Sequence, residues 1–542
     1  MVKYIFITGG VLSGLGKGLV TCSVGKMLQA RGFDVSAVKC DPYLNVDAGT
    51  MNPYIHGEVF VLDDGYEADM DLGAYERFLG VELTGLNNIT SGQVYQRVIQ
   101  EEREGGYLGR CVQIIPHVTD EIKRRLRLVA DKTGADVLLV ECGGTVGDIE
   151  GLPFLEAFRQ MRLEEPRGDT LLVHVTLVPV LDAVGEPKTK PTQHSVKELR
   201  AIGLQPDLIV ARTEGGPLPD DPKRKIALYC SVEEKAVYSS VDVESLYELP
   251  LVLEEQGMGD VVCDYLGLKD CAPDFSEWED MVRAFKEPTE TVKIAMCGKY
   301  AELADCYVSV NEALRHAAAK AGCRVQIDWI ETEFFEEDIR QVKVLEEYDG
   351  VLVPGGFGQR GAEGKIIALN HCRTRDLPFL GICYGFQLAT VEYARYVVGL
   401  EGAASTECVP ETPHPVIDLL PEQKEISELG GTMRLGANTV ILDEGSLPHK
   451  LYGSTEVRER HRHRWEVNPE YWERLEEGGA VFPGWSPDKG FKEILWLPEL
   501  YFFLGTQFHP EFKSRPWSPS PPYYGLVKAS LDRKRGKPRP EF

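Results

Sequence analysis

Apolar runs of strand length, each closed by a glycine turn and followed by a helical stretch, alternate up to about residue 270. The alternation resumes after residue 291. In the first block the pattern predicts strands at 4–8, 34–39, 137–141, 171–177 and 208–211, with helices such as 18–31 and 119–131 between them. In the second it predicts strands at 292–298, 324–330, 350–353 and 378–382, then a helix from about Gly385. Strands that alternate with helices imply a parallel sheet covered on both faces. The expected fold class is therefore α/β, with two doubly wound parallel-sheet domains. With 542 residues the chain is also too long for one core. The expected boundaries are 1–275 for the first domain and 276–291 for a linker that is helical, then charged and proline-containing. The second domain is expected at 292–530 and a mobile basic tail at 531–542. From Gly430 onward, glycine and aromatic residues point to antiparallel strands and loops.

Composition narrows the setting. No run of eighteen apolar residues appears, which argues against a transmembrane helix. The start reads as a buried strand entering a glycine turn, without the features of a signal peptide. Thirteen cysteines, odd in number and without a C-x-x-C pair, disfavour a disulfide framework or zinc site and suit a reducing cytoplasm. A net charge of −26 repels nucleic acid and anionic membranes. Cations for a polyphosphate substrate must then be concentrated locally.

One such place follows strand 4–8, at Gly9-Gly10-Val11-Leu12-Ser13-Gly14-Leu15-Gly16-Lys17-Gly18. Glycines let successive N–H groups converge on an anion at a helix N-terminus, and lysine adds a point charge. The loop departs from the common phosphate-binding pattern, with Val11 at the first glycine and Gly18 where Ser or Thr binds magnesium. Carboxylates must replace that hydroxyl, and the candidates are Asp71 and Glu141. Glu141 ends strand 137–141, facing the ligand crevice of an open α/β sheet, and two carboxylates plus phosphate oxygens and water suffice for magnesium. Lys188-Thr189-Lys190-Pro191-Thr192-Gln193, with Lys225 beyond, suits a second polyphosphate. A glycine turn without ligand and a basic surface loop are the alternative readings.

A second chemistry lies late in the chain. Gly381-Ile382-Cys383-Tyr384-Gly385 joins an apolar strand to a helix, and its small residues permit the sharp turn that exposes a nucleophile. Helix-terminal N–H groups there favour the thiolate. In Thr506-Gln507-Phe508-His509-Pro510-Glu511, residues two apart on an extended segment point the same way, so Glu511 can orient His509 toward Cys383. Pro354-Gly355-Gly356-Phe357-Gly358 offers backbone N–H groups for an oxyanion hole. A buried structural cysteine is the alternative for Cys383. Together the parts indicate a cysteine-nucleophile glutamine amidotransferase of class I.

Long segments through nearly the whole chain resemble the CTP synthase family. They include the 9–18 loop, Lys39-Cys40-Asp41-Pro42-Tyr43, His56-Gly57-Glu58-Val59-Phe60-Val61 and Glu141-Cys142-Gly143-Gly144-Thr145-Val146-Gly147-Asp148-Ile149-Glu150. Lys188 to Gln193, Gly430 to Gly436 and Arg460-His461-Arg462-His463-Arg464 match as well. The resemblance implies a P-loop synthase domain fused to a class I glutaminase, which aminates UTP to CTP with ATP and L-glutamine.

It also implies residue roles. ATP would meet Gly14, Leu15, Gly16, Lys17, Gly18 and Leu19, with Lys39 and Asp71 near its phosphates and Val241, Asp242 and Val243 near adenine. Mg2+ would be held by Asp71 and Glu141. UTP, or CTP as feedback inhibitor, would use Ser13, Lys188, Thr189, Lys190, Pro191, Thr192, Gln193 and Lys225. Asp148, Ile149 and Glu150 would lie at the cytosine side of CTP. Glutamine would meet Gly356, Tyr384, Gly385, Phe386, Gln387, Glu407 and Arg464. A sheltered ammonia passage between the domains would have His56 and Val59 near its mouth. GTP activation is implied without residues, and so are homotetramers and, in some members, filaments.

The chain departs from the family at Tyr384 and Phe386, where aliphatic residues are frequent, and in a short 411–429 segment near the lid linked to GTP. Two rivals remain at this stage. P-loop enzymes that make biotin or cobalamin precursors share the deviant loop but have no reason for the 188–193 segment. A nucleotide-binding scaffold would need neither the carboxylates nor the triad.

Overall fold

The strand Lys3–Gly9 is the middle of a parallel sheet whose order is Asn88–Thr90, Val35–Asp41, Val137–Cys142, Lys3–Gly9, Thr170–Val178, Leu208–Thr213, Val237–Ser240. The structure is a computed structural model and describes residues 2–180, 185–269, 271–298, 304–419 and 433–542. Every residue of Val35–Asp41 and Val137–Cys142 is buried, as expected of strands covered on both faces. Tyr4, Phe6, Val38, Leu138, Val140 and Leu172 form one apolar layer with the helices Thr119–Thr133 and Leu152–Glu164. On the other face Gly25 of the helix Lys17–Gln29 approaches Leu139 so closely that a Cβ would come within 2.8 Å of its side chain.

By packing, the chain forms two units: Met1–Ala48 with Asp71–Lys286, and Gly49–Met70 with Glu287–Phe542. A boundary drawn at one point of the sequence does not describe this division, because residues 49–70 leave the first unit and join the second. The helix Ser276–Lys286, read from sequence as linker, is packed into the first unit. Trp278 is buried, donates to Tyr247 O at 2.8 Å and lies against Phe78.

The second unit has a mixed sheet. The strands Arg324–Glu331, Thr291–Gly298, Gly350–Val353, Phe379–Ile382 and Phe503–Thr506 are parallel. Lys492–Trp496, Val481–Trp485, Arg434–Leu442 and Glu456–His463 continue the same sheet antiparallel. The antiparallel part expected after Gly430 is thus an extension of the parallel core. Alternation along Thr291–Gly298 divides its side chains between two layers. Val292, Ile294 and Met296 pack with the helices Val308–Ala321 and Pro521–Lys534, and Ala295 and Cys297 with Ala362–Arg375 and Tyr384–Tyr396.

The basic end, expected to be mobile, is tied down. Lys537 pairs with Asp532 at 3.1 Å, Tyr501 donates to Lys537 O at 3.1 Å, and Phe542 lies 6.2 Å from the Phe502 ring.

The segment 49–70 is built into the second unit by charge and ring contacts. Its hairpin pairs Phe60–Val61 with Glu67–Ala68 around a turn at Gly65. Asp63 accepts from Arg460 Nε at 2.5 Å and from Lys513 Nζ at 3.1 Å, Glu67 pairs with Arg462 at 2.8 Å, and Phe60 meets Phe512 edge-on at 5.1 Å. Gly436 allows the approach, since a Cβ there would lie 2.6 Å from Gly65 N.

Candidate functional site

In the first unit the strand Lys3–Gly9 opens into a loop at 10–16 before the helix that starts at Lys17. Gly14 and Gly16 have φ of 74° and 86°, which glycine adopts without strain. Val11 holds φ 82° as a β-branched residue, at a cost of about 1–3 kcal/mol. Gly9 makes room for Lys17: a Cβ there would come within 2.6 Å of Lys17 Cδ. Lys17 Nζ donates to Gly144 O at 2.8 Å. The helix Lys190–Ala201 docks against the loop through Ser195, whose Oγ would lie 1.5 Å from a Cβ on Gly10. His174 bridges Ser195 at 2.7 Å and Thr8 at 2.9 Å. Burial, aided by Lys17, pushes the His174 imidazole down to about 3, which keeps this bridge neutral.

Gly18 explains the missing hydroxyl of the loop. A Cβ at this position would lie 2.8 Å from Asp71 Oδ1 and 3.6 Å from Glu141 Oε2. The two carboxylates occupy the space that Ser or Thr takes in the common loop. Lys39 Nζ pairs with Asp71 and, at 2.9 Å, with Glu141, while Thr21 (3.1 Å) and Tyr75 donate to Glu141. Burial opposes the charge on Asp71, but Lys39 outweighs it and holds the carboxyl below its ordinary range. Asp71 and Glu141 side by side offer the hard oxygen donors that magnesium requires, with phosphate and water completing the shell.

The other predicted nucleotide residues stand on separate elements of this unit. Leu15 is buried and Leu19 half-buried, whereas Ser13, Asp148, Ile149 and Glu150 are exposed. Asp148 accepts from Thr145 N at 2.9 Å. Lys188 pairs with Glu186 at 3.3 Å and Lys190 lies over the Tyr229 ring. Pro191 sits in the first turn of its helix, Thr192 donates to Leu177 O at 3.2 Å, and Gln193 donates to Thr189 at 3.1 Å. Lys225 is exposed on the helix Asp220–Cys230. Val241, Asp242 and Val243 follow the last strand, where Arg212 donates to Val241 O at 3.0 Å and pairs with Asp242.

In the second unit Cys383 is the hinge between the strand Phe379–Ile382 and the helix Tyr384–Tyr396. Its φ of 49° and ψ of −96° are those of a strained nucleophile turn, costing about 1–3 kcal/mol. Neighbouring glycines make the turn possible, because a Cβ on Gly385 would lie 2.2 Å from Val353 O and one on Gly381 2.8 Å from Gly385 C. Cys383 N donates to Thr506 O at 2.6 Å, tying the turn to the strand that leads to His509.

His509 Nδ1 and Glu511 Oε1 are 2.7 Å apart. The route differs from the extended geometry expected, since Pro510–Lys513 is a short 3-10 turn that swings the carboxylate under the ring. Burial opposes a charged imidazole, yet Glu511 and the Cys383 sulfur outweigh it and push His509 up to about 10. His509 Nε2 makes no hydrogen bond among the described residues. Gly355 admits the ring; a Cβ there would lie 2.6 Å from His509 Cε1.

These groups open into a cavity of about 560 Å³ lined by Cys383, His509, Gly355, Gly356, Glu407 and Arg464, a volume typical of small-molecule sites. Met51, Glu58 and Val59 of the 49–70 segment also line it. Val59 thus shares the cavity with the nucleophile, whereas His56 is exposed on the short helix Pro53–His56. Glu407 Oε1 accepts from Gly358 N at 2.6 Å, and Tyr384 donates to Gly358 O at 2.8 Å. Gln387 is buried and donates to Trp465 O at 2.8 Å. The Phe386 side chain lies in the core against Gly505, away from the cavity. Sequence reasoning missed Tyr75 and Thr21 beside Glu141, and Gln507 beside Cys383. Gln507 adjoins a recognised motif, but its partners come from other elements.

The comparisons with known proteins find two families in tandem along the chain. A family model described as CTP synthase N-terminus matches residues 3–268, and one described as Glutamine amidotransferase class-I matches 302–529. The CTP synthase of Methanopyrus kandleri is 58% identical over 98% of this chain and 99% of its own. That of Pyrococcus furiosus is 57% identical over 99% of each, and that of Archaeoglobus fulgidus 56% over 98% and 99%. A solved structure, the glutaminase domain of Trypanosoma brucei CTPS with bound acivicin, is 36% identical and covers 44% of this chain and 94% of that one, at a TM-score of 0.42. With two family models in tandem and full-length relatives above half identity, the chain belongs to the CTP synthase family, the glutamine-dependent ligases that convert UTP to CTP in pyrimidine biosynthesis.

Proposed function

We propose that this chain divides CTP synthesis between a thiol glutaminase at Cys383 and an ATP-dependent amination of UTP on the 9–18 loop. The observation that carries the reading is the Cys383 turn, strained and facing a cavity shared with a His509–Glu511 pair. With His509 charged through neutral pH, the proton it received from the thiol is available for the departing nitrogen. The sulfur attacks the glutamine amide carbon, and the oxyanion is met by N–H groups of Gly356 and Tyr384. The C–N bond breaks as His509 protonates the nitrogen, and ammonia leaves. Water then attacks the thioester, His509 takes its proton, and the C–S bond breaks to give glutamate. Tyr384, Gly385, Phe386 and Gln387 contribute by position, Phe386 through its backbone, while Glu407 and Arg464 bind the charged end of glutamine.

Ammonia leaves past Val59 and His56 and attacks uracil C4. That carbon is activated by ATP, which phosphorylates the 4-oxygen so that phosphate, not hydroxide, departs. The N–H groups of Gly14 to Leu19, with Lys17 and Lys39, hold the phosphates. Asp71 and Glu141 would hold Mg2+, which neutralises phosphate charge when bound. Lys39 then shifts from the carboxylates to phosphate. Ser13, Lys188 to Gln193 and Lys225 hold UTP, with Asp148, Ile149 and Glu150 at the CTP base and Val241 to Val243 at adenine. GTP activation is part of the reading. It receives no residues, because 420–432 of the neighbouring segment lie outside those described. A homo-oligomer, a tetramer that can extend to filaments, is part of the reading through the family resemblance. The absence of a helix long and apolar enough to cross a membrane among the described residues is compatible with a cytoplasmic enzyme.

The test is CTP formation from UTP, ATP and magnesium, with glutamine or ammonium chloride as nitrogen source, followed by chromatography. Product from both sources is expected. Product from ammonium alone would place the error in the glutaminase, and none from either would overturn the reading.

A further inference from the structure

A buried relay of side-chain amides ends on the nucleophile's sulfur, and its polarity is fixed from the far end. The Trp465 carbonyl can only accept, so the Gln387 atom 2.8 Å from it is the amide nitrogen. That nitrogen also lies 3.2 Å from the Gln507 side chain, which must therefore turn its oxygen toward Gln387. The Gln507 nitrogen is left 3.6 Å from Cys383 Sγ. An amide nitrogen has hydrogens to give and nothing to accept with, so the sulfur is the acceptor. A thiolate accepts well and a thiol poorly.

The surroundings hold this arrangement in place. Gln507 is 0% and Gln387 2% exposed. Gln507 N donates to Glu493 O at 2.8 Å, and Gln387 N donates to Cys383 O at 3.0 Å. Among the described residues the sulfur also meets the Arg462 carbonyl at 3.8 Å, which is the acceptor a protonated thiol would use. Sγ therefore sits between a donor suited to the thiolate and a more distant acceptor suited to the thiol. The charged groups of the same pocket are the His509–Glu511 pair, with Glu58, Glu407, Arg462 and Arg464 also on its walls.

We propose that Gln507 is a further catalytic residue of the glutaminase half-reaction, its amide N–H donating to Cys383 Sγ and favouring the thiolate, with Trp465 and Gln387 fixing its orientation. The inference rests on Cys383 being the nucleophile. The same donor acts again in thioester hydrolysis. As water attacks and His509 takes its proton, the C–S bond breaks, the electron pair returns to sulfur, and the Gln507 N–H meets the charge.

The test compares wild type with Gln507→Met, which keeps the length but removes the donor, and Gln507→Glu, which keeps the shape but places an acceptor against the sulfur. Iodoacetamide alkylation is followed against pH on the peptide that carries Cys383, so that the other cysteines do not contribute. The expected result is an upward move of the alkylation midpoint by about one pH unit in Gln507→Met, a tenfold loss of thiolate below it, and a larger move in Gln507→Glu. Glutaminase kcat/KM at neutral pH is expected to fall about tenfold or more, with its acid limb displaced by the same amount. An unmoved midpoint in either folded variant would overturn the inference. If neither variant unfolds cooperatively, the ultraviolet thiolate absorbance of wild type, taken as the difference from Cys383→Ala, decides: no thiolate at neutral pH would overturn it. Glutaminase activity retained by Cys383→Ala would instead remove the nucleophile reading on which the inference rests.

Discussion

Both candidate sites are made at the same kind of junction, a parallel strand that turns into a helix, and the width of the turn separates their chemistry. After Lys3–Gly9 the chain spends residues 10–16 on a loop before the helix begins at Lys17, and glycines leave its backbone N–H groups to an anion. After Phe379–Ile382 it spends one residue, Cys383, in a conformation its side chain resists. The wide turn makes a cradle for charge brought by a ligand; the tight one projects a single reactive atom. Their electrostatics differ in the same sense. In the wide turn one cation, Lys39, is shared between the carboxyl groups of Asp71 and Glu141. In the tight turn His509, raised to about 10 with Glu511 beside it, instead carries its charge before any substrate binds.

The sharpest way to break the comparison is to remove one group from each turn. Cys383→Ala is expected to abolish glutamine-supported CTP synthesis, by about 10³-fold or more, while ammonium-supported synthesis continues. Lys17→Ala is expected to abolish both. Initial rates with each nitrogen source decide the matter, and loss of both routes in Cys383→Ala would end the division of labour. A smaller effect is expected at Gly18. Gly18→Ser restores the common loop's hydroxyl, but its Cβ would meet Asp71 Oδ1 at 2.8 Å. The magnesium concentration for half-maximal ammonium-supported synthesis should rise about tenfold, in line with a displaced ligand. An unchanged magnesium titration would remove Asp71 from the metal site.

Much of this was legible in the sequence because both turns are local. Strand, glycine, lysine and helix lie within one stretch, as do Gly381, Cys383 and Gly385, and apolar periodicity reports the strands that carry them. What the sequence concealed is made by distant partners. Nothing local says that Gly18 is small because two carboxylates fill its space, or that Tyr75 and Thr21 hold Glu141. The 49–70 segment reads as part of the first domain, since it lies between its strands. Contacts with distant residues assign it to the second, among them the pairing of Asp63 with Arg460 and Lys513 and of Glu67 with Arg462. Gln507 was passed over because an amide beside a His-Pro-Glu motif has no meaning until Gln387 and Trp465 fix its direction.

The imidazolium supplies a prediction in pH. Glu511 and the sulfur raise His509 above its ordinary value to about 10. A group raised in the folded state contributes stability that is fully present below its unfolded value, near 6.5, and is lost as pH rises through the folded one. The thermal midpoint of wild type should therefore exceed that of Glu511→Gln by the most at about pH 6, and the gap should close toward pH 10. A gap independent of pH would mean that Glu511 acts by packing and not by charge.

The smallest expected effect tests how much of the tight turn's precision comes from the residue after Cys383. Tyr384 directly follows Cys383. Its hydroxyl donates to Gly358 O at 2.8 Å and lies 3.1 Å from Cys408 Sγ. Glu407 holds the N–H of the same Gly358 at 2.6 Å. The loop that carries Gly355 and Gly356 is thus gripped on both sides of one residue, and removing one grip should loosen it without freeing it. Tyr384→Phe keeps the buried ring and its contact with Lys365, and gives up a hydrogen bond of about 1 kcal/mol. The expected outcome is a three- to tenfold fall in glutaminase kcat, roughly that free energy, with KM for glutamine little changed because Glu407 and Arg464 still line the cavity. A rise in KM at constant kcat would make the hydroxyl a binding contact. An unchanged kcat would show that Glu407 alone sets the loop.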